Sequence, residues 1–169
     1  MSGAFFKIDY DKEEAKITLD PALKALDGII KDVKEKIATE TFYAVIAPKG
    51  KNPFMTGKYV SSHRIGIDKA DNSYESDGAG SMGEAQRIAS KQLTKLKYIP
   101  VESEIFISNS VKSDKGFAYA RMIESGWDRS KEGGKTGPWM VYANAFAEVA
   151  PQLQGWVDFI IHVHGGESL

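Results

Sequence analysis

The sequence contains no cysteine among its 169 residues. A chain without cysteine cannot form disulfides, thiolate metal sites or a cysteine nucleophile. It also lacks a run of apolar residues near the roughly 20 that span a bilayer. Phe5 and Phe6 are followed at once by charged residues, so no signal peptide is predicted. We therefore expect a soluble protein that is made in the cytoplasm and has no membrane partner.

An excess of either charge sign is lacking as well, since 22 basic and 23 acidic residues give a net charge of −1. Proteins dedicated to nucleic acids usually carry a basic excess, because their affinity comes from neutralising phosphates. The charge balance gives no support to that class. The remaining composition, 42% hydrophobic and 27% charged, is that of a folded protein, and the length predicts a single domain over residues 1–169.

Three stretches have apolar residues at helical spacing. The clearest begins at Asp20-Pro21, an N-cap acceptor followed by proline at the first helical position, and continues towards Ala47. A second helix is predicted over Glu84–Lys97. A last one starts near Pro138 and is kinked or restarted at Pro151, because proline removes a helical hydrogen bond.

Two segments alternate with the period of a strand. Lys58–Asp68 places His63 on an apolar side, where a lone histidine is more often a hydrogen-bonded packing residue than a ligand. The second, Ile105–Val111, has Asn109 on its apolar side. Residues Ala4–Tyr10 are a short strand, an extended arm or a terminus packed on the surface. The remaining segments between these elements, including Lys69–Gly83, are predicted to be loops.

The order of these elements predicts an α+β fold, in which a small, mainly antiparallel sheet packs against a long N-terminal helix and C-terminal helices. Between the second strand and the last helix, a short helix around Tyr119–Ile123 is stopped by Gly126. A polar loop from Trp127 to Pro138 follows.

This block resembles a family of neck and minor tail proteins of long-tailed bacteriophages. Members typically show Tyr-Ala, a hydrophobic-Glu pair, Gly followed by Trp, Thr or Ser, a Lys-containing loop and a Pro-Gly-Met-Val-like segment. The matching residues are Tyr119-Ala120, Ile123-Glu124, Gly126-Trp127 and Gly137-Pro138-Trp139-Met140-Val141, where the glycine precedes the proline. Thr56–Ser62 resembles the family's Thr-Gly-x-hydrophobic-x-x-Ser strand entry.

The resemblance implies a virion structural protein, not an enzyme and without a cofactor, at the joint between head and tail. Such proteins form rings, for example six-fold, when one patch fits a different patch on the next copy. The implied partners are further copies, head-closure proteins, tail-terminator or tail-tube proteins, and DNA that passes through the channel without sequence-specific binding. A tail-terminator ring that caps the tail tube is the alternative within the same class.

The candidate contact residues lie mainly around the loop between Trp127 and Trp139. Tryptophan and arginine are enriched where proteins bind proteins, although both indoles could equally pin the loop to its own core. The loop Ala47–Gly57 could contact DNA or a neighbouring subunit, or be merely solvated. The full set comprises Tyr119, Arg121, Glu124, Trp127, Arg129, Lys135, Trp139, Met140, Lys49, Lys51 and Phe54.

The sequence contains few candidates for catalytic or metal-binding residues. His162 and His164, two apart, would share one side of a strand and would need a third metal ligand from elsewhere. Together with His63 they define the alternative of another class, a small metal-dependent hydrolase. Glu124 is a candidate general acid, or it caps a helix or pairs with a base such as Arg121 or a neighbour's lysine. We predict no catalytic residue and no metal site.

Overall fold

The computed structural model describes residues 12–47, 57–129, 134–136 and 139–165, with side chains described for 23–47, 57–118, 120–126 and 139–165. The segment Ala4–Tyr10, Pro138 and the predicted contact residues Lys49, Lys51 and Phe54 lie outside these residues.

The predicted α+β class is confirmed, because a long first helix and later helices pack with a small antiparallel sheet. In the described part of the chain, the 3-10 helices Lys91–Tyr98 and Ala150–Gln152 join α-helices to the elements around them. In chain order, the described α-helices and strands are α1 (Lys12–Ile46), α2 (Lys58–Ser61), β1 (His63–Ile67), α3 (Met82–Ser90), β2 (Ile105–Asn109), α4 (Tyr119–Ser125), β3 (Trp127–Arg129), β4 (Gly134–Thr136), α5 (Val141–Val149) and α6 (Leu153–Val163).

The helix α1 is the longest element, with 35 residues and a length of about 52 Å at 1.5 Å per residue. Its second half packs against α5 and α6 and contributes Phe42, Val45 and Ile46 to the core. The predicted start at Asp20-Pro21 is wrong, since the helix already begins at Lys12. The preceding residues are mostly good helix formers, and the loss of one N–H at proline does not end the helix.

The strands β1 and β2 form an antiparallel pair in which Ile65 lies opposite Ile107 and His63 opposite Asn109. These residues share one face because side chains alternate along a strand. The predicted strand over Lys58–Asp68 is therefore right only in its second part. Its first part is the helical turn α2, which starts after Gly57 in the left-handed conformation (φ 73°). The Ser61 N–H and hydroxyl both donate to the Gly57 carbonyl, at 2.9 and 2.8 Å.

The segment after β1 is irregular, as predicted, and it is held against the sheet. The buried Arg64 donates to the Ser73 hydroxyl at 3.1 Å and to Glu75 at 2.9 Å. The Ser108 hydroxyl donates to the carbonyl of Asp71 at 2.7 Å. At Gly66 the chain passes so close that an added Cβ would lie 2.0 Å from the Lys69 carbonyl oxygen, so only glycine fits there.

The predicted helix over Glu84–Lys97 begins earlier and changes type midway. Ser81 caps α3 by accepting the Glu84 N–H at 3.2 Å, and the Glu84 carboxylate accepts the Gly80 N–H at 2.8 Å. From Lys91 the chain continues as a 3-10 helix up to Tyr98.

The predicted loop between Trp127 and Pro138 contains a short hairpin. β3 and β4 are antiparallel, with Trp127 opposite Thr136. The predicted start of the last helix at Pro138 is wrong, since α5 begins at Val141 after Met140 in a left-handed conformation (φ 48°). The break at Pro151 is confirmed, because a 3-10 turn separates α5 from α6 there.

Candidate functional site

Five polar or aromatic side chains from distant parts of the sequence meet between the sheet and the C-terminal helices. We call this cluster the polar joint; its members are Tyr59 of α2, His63 of β1, Asn109 of β2, Glu124 of α4 and Tyr142 of α5. Each comes from a different element. The joint therefore connects α2, both main strands, α4 and α5.

His63 lies at the centre of the polar joint and has no exposed surface. Its ring lies edge-on to Tyr59, with centroids 4.9 Å apart, and 5.7 Å from the ring of Tyr142. Nδ1 lies 3.1 Å from the carbonyl oxygen of Val60; since a carbonyl can only accept, Nδ1 carries the proton. Burial lowers the pKa of His63 to about 4, so the ring is neutral at pH 7. The prediction of a hydrogen-bonded packing histidine is confirmed.

The hydrogen bonds of Asn109 explain why a polar residue lies on the apolar side of β2. Its side-chain amide donates to the Tyr59 carbonyl at 2.7 Å, and its side-chain oxygen accepts the Val111 N–H at 3.1 Å. Both bonds satisfy buried backbone groups, which would otherwise be costly. A polar residue on the apolar side of a strand, at Asn109 as at His63, was therefore a sequence signal that marked the polar joint.

Glu124 binds groups of its own chain. One carboxylate oxygen accepts the Tyr59 hydroxyl at 2.7 Å, and the other accepts the Tyr142 N–H at 3.3 Å. The second bond satisfies an N–H in the first turn of α5, where a negative charge is favourable. Of the interpretations open for Glu124, the structure supports the helix cap. Beside it, the Trp139 N–H donates to the Ile123 carbonyl at 3.0 Å, so α4 and the start of α5 are joined twice.

The Tyr142 hydroxyl is buried and finds no hydrogen-bond partner among the described residues. Burial, and then the charge of Glu124, raise the pKa of this hydroxyl. A buried polar group without a partner destabilises a fold by about 1–3 kcal/mol.

The geometry of the polar joint fits a structural role better than a catalytic one. The imidazole of His63 is neutral and buried, and it is hydrogen-bonded to a backbone carbonyl. The carboxylate of Glu124 already accepts hydrogen bonds from two donors. General acid–base catalysis requires a group within reach of a substrate proton. The joint instead ties α4 to the start of α5 through Glu124, on the two sides of the β3–β4 hairpin.

The predicted contact residues differ in how far their side chains are exposed. Arg121 is exposed on α4, and Met140 is 49% exposed next to the hairpin. Trp139 is partly buried and packs against the core, which favours the pinning interpretation for this indole. For the others of this block the structure describes only the backbone: Tyr119 in α4, Trp127 and Arg129 in β3, and Lys135 in β4.

The two C-terminal histidines do not share one side of a strand. His162 lies in the last turn of α6 and His164 follows its end, so the expected strand geometry is wrong. His164 Nε2 lies 2.9 Å from Asp32 Oδ2 on α1. Among the described residues, no three His, Asp or Glu side chains are grouped so that they could hold a metal ion.

Sequence reasoning missed a set of large apolar side chains that the helices leave exposed. We call the set on α1, α5 and α6 the apolar helical surface: Leu23, Leu26, Phe146, Phe159 and Val163. Phe146 is 69% exposed, Phe159 66% and Val163 64%. Phe159 and Val163 are four residues apart on α6 and therefore lie on one face. Helical periodicity alone does not tell which apolar residues are covered by other elements.

Comparisons with protein-family models, curated proteins and solved structures find no match for this chain. None of the helices in the described part of the chain has the length and apolar content that crossing a membrane needs.

Proposed function

We propose that this chain is a virion structural protein of the phage neck or upper tail, which forms a ring that joins head and tail. The observation that carries this proposal is the apolar helical surface. Its members belong to three helices, of which α1 packs against both α5 and α6. Exposed apolar side chains that form a continuous patch mark contacts with other proteins. Phe146, Phe159 and Val163 are candidate contact residues for a neighbouring subunit or ring.

The polar joint supports the same proposal. Residues of the phage-family resemblance lie on both sides of the β3–β4 hairpin, and Ile123-Glu124 bind the backbone of Trp139 and Tyr142. A hairpin whose base is fixed in this way is presented at a defined angle. Fixed presentation suits a contact that is repeated by rotation around a ring.

Measuring the mass of the protein in solution tests the proposal. Light scattering and native mass spectrometry over a wide concentration range should show a discrete oligomer that grows from monomers as concentration rises. Replacing Phe146 and Phe159 by Asp should raise the midpoint concentration of assembly at least about tenfold, since burial of one phenylalanine contributes about 1.5–3 kcal/mol.

Thr94→Asp is the control for each single phenylalanine substitution, because it adds the same one negative charge at an exposed polar position on a different element. It should leave assembly unchanged. A chain that stays monomeric at every concentration, binds zinc stoichiometrically and loses an enzymatic turnover when one histidine is replaced would contradict the proposal.

A further inference from the structure

A groove of about 650 Å³ lies between α1 and the strand β2. Ile37 and Thr41 line its helical wall and Ile105 and Ile107 its strand wall, all of them half-buried. At one end, Lys34 ties α1 to the turn before β2 through the carbonyls of Val101 and Ser103. Among the described residues, no lining side chain comes from β1, so the groove lies on the outer side of β2.

The outer edge of β2 presents backbone N–H and C=O groups that do not bond to β1. Asp68 N–H donates to the Glu104 carbonyl at 2.9 Å, which identifies a hydrogen-bonded pair just beyond the two strands. Bonded and non-bonded pairs alternate in an antiparallel ladder, so Ile105 and Ile107 turn their N–H and C=O groups away from β1. Within the described residues β2 pairs only with β1. Such an edge, beside an apolar groove, is the site that an added strand occupies in β-augmentation.

The segment Ala4–Tyr10 has the composition of such a strand. Its sequence is AFFKIDY, in which Phe6, Ile8 and Tyr10 alternate with Phe5, Lys7 and Asp9. In an extended conformation the first set lies on one side and both charged residues lie on the other. One side thus suits an apolar groove and the other suits water.

The helix α1 prevents this segment from reaching the groove of its own chain. From Lys12 to Lys34, the first groove residue on α1, the helix rises about 33 Å. Lys12 lies eight positions after Ala4, and a fully extended chain spans at most about 29 Å over eight positions. Phe6 and Ile8 therefore fall well short. All five residues from Leu23 to Asp27 are exposed, so no other described element covers α1 at these positions.

We propose that residues Ala4–Tyr10 of one copy add as a third strand to the outer edge of β2 in a second copy, with Phe6 and Ile8 in the groove beside α1. This contact joins two different patches on successive copies, as a closed ring requires. The inference deepens the proposed function and rests on it for the existence of a ring. The segment that the groove binds, however, can be tested by itself.

Cross-linking tests the exchange between copies directly, because the chain has no cysteine of its own. A size-tagged Ile8→Cys variant is mixed with an untagged Thr41→Cys variant and oxidised. A disulfide requires Cα atoms within about 7 Å, so the proposal predicts a mixed dimer of the tagged and untagged chains. Excess AFFKIDY peptide should remove this band. Phe5→Cys, on the opposite side of the segment, is the matched control and should give much less of it.

A binding measurement separates this inference from the ring itself. Labelled AFFKIDY peptide is titrated into the full chain carrying Phe6→Asp and Ile8→Asp, whose own segment cannot compete. Saturable binding is expected, and Thr41→Trp, which fills the groove, should weaken it about tenfold, a loss of about 1.4 kcal/mol. Tyr43→Trp, exposed on α1 outside the groove lining, should not change it.

The possible results distinguish the two proposals. A ring that survives the Phe6→Asp and Ile8→Asp substitutions, with no mixed disulfide, overturns the strand exchange and leaves the proposed function standing. A chain that stays monomeric but binds the peptide at the groove retains the segment–groove contact and counts against the ring. Absence of both peptide binding and the mixed disulfide overturns the exchange.

Discussion

The polar joint and the apolar helical surface use their side chains in opposite ways. In the joint, polar groups lie inside the protein, and all but the Tyr142 hydroxyl have partners that the described residues supply. On the helical surface, phenylalanine, leucine and valine side chains face water. Buried polar groups with partners favour one defined arrangement of the elements, whereas exposed apolar groups gain free energy only when another molecule covers them. The first region stabilises the fold, and the second is the surface that we propose for assembly.

The largest expected effect comes from replacing an aromatic ring in each region by alanine. His63→Ala should lower the free energy of unfolding by about 3 kcal/mol, because it leaves a cavity and an unpaired carbonyl. Phe159→Ala should change it by less than about 0.5 kcal/mol, as exposed positions usually do. Urea unfolding measures both. Equal losses would contradict the division between the two regions.

The pH dependence of stability follows from the low pKa of His63, about 4 in the folded chain against about 6.5 when unfolded. Between these values the unfolded chain binds a proton that the folded chain does not, so stability falls as pH is lowered through this window. From pH 7 to 4.5 the loss should be on the order of 2 kcal/mol. Unfolding curves at several pH values measure it. His63→Gln should lose this component, and His162→Gln, which is exposed, should keep it.

A smaller effect is expected from the hydroxyl group that binds Glu124. Tyr59→Phe removes this donor and should lower the free energy of unfolding by about 1–2 kcal/mol, because hydrogen bonds to charged groups are stronger than neutral ones. Thermal and urea unfolding report the change. Tyr98→Phe, at a position that is 86% exposed, is the control and should have no effect.

The smallest expected effect comes from a substitution that leaves the free energy of unfolding unchanged or raises it. Tyr142→Phe removes a buried hydroxyl that lacks a partner among the described residues, so stability should be unchanged or rise by up to about 1 kcal/mol. The measurement is the same as for Tyr59→Phe. A loss as large as that of Tyr59→Phe would show that the Tyr142 hydroxyl is bound, and the polar joint would then have no unpaired member.

Local patterns predicted much of the fold. The alternation over Ile105–Val111 starts where β2 starts, although the strand ends at Asn109, and the stop at Gly126 coincides with the end of α4. Start positions were less predictable. The Asp20-Pro21 signal lies within α1, and an alternating pattern from Lys58 begins with a helical turn, because Gly57 and Ser61 form local hydrogen bonds.

The candidate site was less predictable than the fold. The sequence leaves Glu124 open as a contact residue, a general acid, a helix cap or the partner of a base, and its partner Tyr59 is 65 residues away in sequence. No local pattern pairs two such residues. In the same way, the spacing of Phe159 and Val163 predicts a helical face, but it does not show that no other described element covers that face.

The sequence by itself determined the absence of cysteine chemistry, the balanced charge and the class of fold, because these depend on composition and short-range spacing. The tertiary structure decided which polar residues meet at His63, which apolar side chains remain in water and how far α1 carries the preceding segment from the groove beside β2. These properties depend on contacts and distances between residues far apart in the chain, and such contacts are set by packing of the whole molecule.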